Sequence, residues 1–140
     1  MWFMATRPEA YVDTSALIAF VDRSDTYHPL FRLLFSDPPG LVTTTLVVAE
    51  GHGWFLKRYD RTRALRFISL LEVMTPLRVI PTGPDELAGG VQLLRQFADQ
   101  DLSLTDAIGL WTMDQRKLRA CWSTDRHLRL TGIPLVIDEH

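Results

Sequence analysis

Ala10-Tyr11-Val12-Asp13-Thr14-Ser15-Ala16-Leu17, residues 10–17, is the stretch whose reading decides the fold. Ala10 to Val12 is a short β-like run that ends on an acid. Thr14 and Ser15 follow at once, and both residue types cap helices. Ala16 to Val21 is then a short apolar helical segment. A strand that passes into a helix without a hairpin turn belongs to a crossover unit, in which the next strand lies parallel to the first.

The same alternation repeats outward. A helix over Pro29 to Phe35 is stopped by Asp37-Pro38-Pro39-Gly40, because proline cannot continue a helix and glycine supplies turn geometry. Leu41 to Thr43 reads as a second strand. Thr44 or Thr45 caps a helix over Leu46 to Arg58, which carries Glu50 in an apolar stretch together with Gly51 and Gly53. From Arg61 a further helix places Ala64, Phe67, Ile68 and Leu71 on one face. Leu77 to Ile80 is a third strand. Pro84 opens a helix reaching about Ala98, with Asp85 and Glu86 at its positive end. Ser103 starts another, with Asp106 three residues on, in the pattern of a capping box. Ala120 to Ser123, a short helix over Arg126 to Leu130, and a strand over Pro134 to Ile137 complete the chain. The reading is α/β: a single domain over residues 1–140 with a mainly parallel sheet of about five strands, flanked by helices on both faces.

Composition agrees with a globular domain: 46% of the 140 residues are hydrophobic and 23% are charged. Cys121 is the one cysteine, so no internal disulfide forms and no Cys/His cluster has zinc spacing; a reducing cytoplasm is the expected setting. No apolar run approaches the ~20 residues of a membrane span. Met1 to Glu9 lacks an apolar core of secretory length, and Trp2 and Phe3 read as packing residues or a vector remnant. Fifteen basic against seventeen acidic side chains give a net charge of −2, which at face value disfavours a nucleic-acid partner.

The placement of the acids changes that. Asp13 follows the first strand and Asp125 the fourth, at the sheet edge where parallel α/β proteins bind ligands. Glu50 lies early in the helix after the second strand, and its apolar surroundings predict a buried charge in need of a partner. Asp106 lies in a first helical turn, and joins the others only if that helix starts at the same edge. Each has a plainer reading: Asp13 a helix cap, Asp106 a capping-box acid, Asp125 a turn residue. If they converge, their repulsion calls for a divalent cation. All-oxygen ligands suit Mg²⁺ or Mn²⁺ rather than zinc, and open coordination positions suit metal-assisted phosphodiester hydrolysis.

Four motifs, Val12-Asp13-Thr14-Ser15-Ala16-Leu17, Thr43-Thr44-Thr45-Leu46-Val47-Val48-Ala49-Glu50, Asp101-Leu102-Ser103-Leu104-Thr105-Asp106-Ala107 and Ser123-Thr124-Asp125-Arg126-His127-Leu128, together resemble the PIN-domain family. The likeness is strongest to its VapC-type ribonuclease toxins of bacterial toxin–antitoxin pairs, and it covers the chain after about residue 8. The resemblance implies a PIN-like sheet and a Mg²⁺- or Mn²⁺-dependent endoribonuclease. It implies metal held by Asp13, Glu50, Asp106 and Asp125, with hydroxyl support from Ser15 and Ser123 and a nearby acid at Asp101. It further implies an antitoxin seated on the early helices and a homodimer. Two departures, Leu128 in place of a frequent aromatic and Ser123 in place of threonine, leave the acids untouched; Gly51 and Gly53 put the regularity of their helix in question.

Arg126 and His127, next to Asp125, are the candidate RNA phosphate contacts, with packing or capping an equal alternative for His127. Lys57, Arg58, Arg61, Arg63 and Arg66 stand against Asp60 alone, either as a solvated helix face or as a phosphate-binding run. A haloacid-dehalogenase-like phosphatase needs a second Asp where Ser15 stands, and a receiver domain lacks its acidic pair. A PIN-fold protein that processes RNA, or that binds RNA or protein without cutting, remains the alternative. Setting four of the 17 acids aside in a metal cleft leaves 13 against 15 basic side chains. The charge objection to RNA therefore weakens.

Overall fold

The structure is a computed structural model and describes residues 8–140; the expectation for Trp2 and Phe3 lies outside them. In chain order the elements are β1 (Ala10–Val12), α1 (Thr14–Val21), α2 (His28–Leu34), β2 (Leu41–Thr44), α3 (Thr45–Arg58), α4 (Arg61–Val73), β3 (Leu77–Ile80), α5 (Pro84–Gln96), α6 (Leu104–Gln115) and β4 (Ala120–Trp122). Two 3₁₀ turns, Arg126–Arg129 and Val136–Glu139, follow. The strands form one parallel sheet in the order β3-β2-β1-β4. Ala10 pairs with both Leu41 and Ala120, so β1 is central. Every residue of β1 and β2 is buried, as expected for strands covered on both faces. β3 is an edge strand, and its Arg78 and Val79 are exposed.

The chain fills the sheet from β1 outward through β2 to β3. The α5–α6 hairpin then carries it back to β4 on the other side of β1. Winding direction therefore reverses between β1 and β4, where ligand sites form beyond the strand ends. The two strands are tied there by Asp13 N–H donating to the Trp122 carbonyl at 3.0 Å.

Local chemistry explains the helix starts. Thr44 Oγ1 accepts from Val47 N–H, Asp60 Oδ1 from Arg63 N–H and Ser103 Oγ from Asp106 N–H. Gly51 does not interrupt α3, which is continuous. It lies directly beneath Phe67 of α4, where a Cβ would overlap the ring. Gly89 of α5 has the same relation to Trp111 of α6. These close approaches, rather than any unusual backbone angle, account for both glycines.

One expectation is corrected. Pro134 to Ile137 is not a fifth strand: Leu135 makes one parallel bridge to Cys121, and the chain then turns into the Val136–Glu139 3₁₀ turn. Leu135 and Val136 satisfy their apolar character by burial in the core, while Asp138 N–H closes the turn on the Leu135 carbonyl at 3.0 Å. The short helix expected after Asp125 is present as a 3₁₀ helix over Arg126–Arg129. No described helix is long and apolar enough to cross a membrane.

Candidate metal centre

Asp13 leaves the end of β1 with 3% exposure. It occupies the N-cap position of α1, yet its side chain makes no cap bond. Instead Oδ2 accepts the hydroxyl of Ser15 at 2.8 Å and that of Ser123 at 3.0 Å. The two hydroxyl oxygens lie 3.1 Å apart. A hydroxyl has one proton, and both protons are on Asp13, so each oxygen is free to accept elsewhere. Ser15 accepts from Thr124 N–H at 3.0 Å and Ser123 from Asp125 N–H at 2.9 Å. The hydroxyls thereby stitch α1 to the segment after β4 and fix one oxygen of the carboxylate between them.

Asp125 begins the Arg126–Arg129 turn. Its Oδ1 accepts from His127 N–H at 3.0 Å and lies 2.9 Å from His127 Nδ1. Cap and site roles thus coincide in this residue. Asp106 enters from the first turn of α6. Ser103 binds its backbone N–H, and ligand atoms of Asp106, Asp125 and His127 lie within 4.8 Å of one another. The start of α6 is therefore at the same edge as the ends of β1 and β4.

Glu50, in the second turn of α3, is exposed rather than buried, which overturns the inference that its apolar neighbours enclose it. Val47, Gly51 and Phe55 face the core, while Glu50, like Ala49, stands on the solvent side. Its charge nevertheless acts on both Asp13 and Asp106. Burial, opposed by the two serine hydroxyls and assisted by Glu50, raises the Asp13 carboxyl above its ordinary range. Burial, then the charges of Asp13 and Asp125, push Asp106 up to about 7. Asp101 is exposed before α6, outside the group formed by Asp106, Asp125 and His127. Arg126 is exposed at the rim and has no ion pair among the described residues. The Asp125–His127 pairing was the feature the sequence reading missed, although the two-residue spacing is the local signal for it.

The donor set fits a divalent cation. Donor atoms about 2.1–2.5 Å from a cation lie within about 5 Å of each other, and the two carboxylate oxygens and one imidazole nitrogen of this group meet that limit. Burial first, and then the neighbouring carboxylates, raise the Asp13 and Asp106 carboxyls, and a cation held between them would offset both effects. Asp106, Asp125 and His127 would hold such an ion, with Asp13 and Glu50 supplying further negative charge.

Fold and site together define a parallel α/β protein with an acidic cleft at its switch point. The PIN domain family model matches residues 10–133, and the chain belongs to that family. Among solved structures it is similar to VapC20 of Mycobacterium tuberculosis, described as a sarcin-ricin loop cleaving toxin. The identity is 20%, the TM-score 0.82, and the match covers 89% of this chain and 96% of that one. A toxin–antitoxin complex from Klebsiella pneumoniae matches at 22% identity and TM-score 0.61, covering 91% and 95%. VapBC2 of Rickettsia felis, bound to a promoter DNA fragment, matches at 13% and 0.63, covering 91% and 96%. Comparison with curated proteins gives no significant match.

Proposed function

We propose that this chain, acting as a single domain, is a divalent-metal-dependent endoribonuclease and the toxin of a VapBC-like toxin–antitoxin pair. The observation that carries the reading is the convergence of Asp13, Asp106 and Asp125 at the β1/β4 switch point, with Asp13 and Asp106 held above the ordinary carboxylate range. Bound Mg²⁺ or Mn²⁺ would polarise the scissile phosphate and favour deprotonation of an attacking water. Ser15 and Ser123 hold Asp13 in one orientation. His127 N–H and the imidazole orient Asp125. Glu50 stands at the solvent side, where it would help to hold the ion. Arg126, exposed at the rim, contacts the RNA phosphates, while the His127 imidazole belongs to the ion site beside Asp125. In-line attack on phosphorus expels the 3′ oxygen and leaves a 5′-phosphate and a 3′-hydroxyl.

The similar folds seen in toxin–antitoxin complexes support an antitoxin partner, and we extend the proposal to a cytoplasmic homodimer. Purified protein should degrade single-stranded RNA with Mg²⁺ or Mn²⁺ and stop on addition of EDTA. Asp13→Asn should remove the activity and keep the far-UV circular dichroism of the parent. Equal cleavage by that variant, or cleavage that survives EDTA, overturns the assignment. RNA binding without cleavage by the parent favours a non-cutting PIN protein.

A further inference from the structure

A second feature lies at the far end of α1 from Asp13. A cavity of about 490 Å³ is lined by Asp22, Arg23, Phe55, Tyr59, Arg63 and Arg66, among others. Such a volume takes a nucleotide-sized ligand. Three guanidinium groups face it, and none has an ion pair among the described residues. Asp22 is the one lining carboxylate, and its Oδ1 is already engaged by Ser24 N–H at 3.1 Å, Ser24 Oγ at 2.9 Å and Tyr59 Oη at 2.9 Å. The cavity therefore carries uncompensated positive charge.

The aromatic floor narrows the chemistry of the occupant. Arg63 Cζ lies 4.3 Å from the centroid of Tyr59, covering one face of the ring. Phe55 stacks nearby at 6.3 Å and is itself 2% exposed. With Arg63 over one face of Tyr59 and Phe55 buried, the floor offers less to a stacking base or an apolar side chain than the three guanidiniums offer to an anion. What remains available is the hydrogen-bonding edge of planar guanidiniums, which matches phosphate oxygens.

We propose that this cavity binds the backbone phosphates of the RNA strand as it leaves the acidic cleft, reading charge rather than base identity. The inference rests on the nuclease reading above and supplies what that site lacks. In the working cleft the charges of Asp13, Glu50, Asp106 and Asp125 offset that of the ion, so beyond Arg126 at the rim affinity for the strand has to come from elsewhere on the surface. The eight residues of α1 span about 12 Å, within the reach of single-strand sites covering about 4–16 nucleotides. The basic run from Lys57 to Arg66 thus contributes two of its members, Arg63 and Arg66, to the strand path, with Arg23 joining from another part of the chain.

The test uses the double variant Arg23→Gln/Arg66→Gln. Both side chains are exposed, and neither stacks on Tyr59. Fluorescence anisotropy with a labelled randomised RNA of about 12 nucleotides is measured in EDTA from about 0.05 to 0.4 M salt. Each single-strand phosphate contact contributes about 0.7 to the slope of log K against log salt, so the variant slope should fall by about 1.4 and affinity by about 25-fold at 0.1 M salt. An Arg32→Gln/Arg95→Gln control, with a matching number of exposed cations removed, should fall much less. Equal affinity and slope for the Arg23/Arg66 variant and the parent overturn the proposal. So does loss of binding to a labelled oligoglutamate peptide with RNA binding unchanged, which assigns the cavity to an acidic protein. Cleavage by the parent in Mg²⁺ reads the nuclease assignment separately. A parent that cuts, with an unchanged KM in the double variant, overturns the cavity alone; a parent that binds through these arginines without cutting overturns the nuclease alone.

Discussion

Replacing Asp106 by Asn should stabilise the metal-free protein while abolishing its activity. The carboxyl is moved from 3.8 to about 7 by burial and by the charges of Asp13 and Asp125. In the folded state it therefore holds a proton between about pH 4 and 7 that the unfolded chain has released, and the parent loses stability as pH rises through that window. A displacement of that size corresponds to at most about 4 kcal/mol above pH 7; solvent screening in an open cleft reduces it to about 1–2 kcal/mol. Coulomb's law agrees in order of magnitude. Two unit charges at the 4.8 Å limit of the Asp106–Asp125–His127 group repel or attract by about 3.5 kcal/mol at an effective dielectric constant of about 20. Urea unfolding in EDTA reads the effect. Asp106→Asn should gain about 1–2 kcal/mol at pH 8 and almost nothing at pH 4. Added Mg²⁺ should reverse the order, because an ion bound only to the folded parent stabilises it by mass action. A variant no more stable than the parent in EDTA at pH 8, or one with the same gain at pH 4, would refute the electrostatic account of the cleft.

The two glycines of α3 should respond oppositely to alanine. Gly51→Ala sets a methyl group against the Phe67 ring and should cost about 1–3 kcal/mol. Gly53→Ala meets nothing within 4 Å and should gain up to about 1 kcal/mol; thermal unfolding of the pair decides. Ser123→Ala removes a hydroxyl donor from Asp13 and an acceptor from Asp125 N–H. It should slow RNA cleavage at least tenfold, for a loss of about 1.5–3 kcal/mol, and raise the Asp13 carboxyl further; cleavage at the parental rate would show the hydroxyl to be dispensable. Glu50→Gln should leave thermal stability within about 0.5 kcal/mol because the side chain is exposed, yet weaken Mg²⁺ binding as followed by calorimetry.

Much of this was legible in the chain itself. Val12-Asp13-Thr14-Ser15 announces a strand that ends on an acid and turns into a helix, and that local rule holds in the structure. The strands over 10–12 and 77–80 fall where alternation and proline punctuation put them. Local signals go astray where burial, rather than hydrogen bonding, satisfies an apolar segment. Leu135 and Val136 have strand-like side chains, but a core position suffices for them without a ladder. Glu50 shows the converse, since an apolar neighbourhood in sequence is not one in space when a helix turns its residues to different sides.

The sequence by itself determined the alternation of elements, the helix caps and the identity of the acids, because these depend on residues a few positions apart. Only the tertiary structure decided that Asp13, Asp106 and Asp125 share a cleft. That outcome depends on β4 returning beside β1 rather than beyond β3, and on the start of α6 reaching the same edge. Strand order is chosen by packing between segments more than 100 residues apart, such as Tyr11 against Cys121, and no local pattern encodes it. The same long-range choice turns two serine hydroxyls and one aspartate into a connected site, and brings Arg23 to the cavity that Arg63 and Arg66 line.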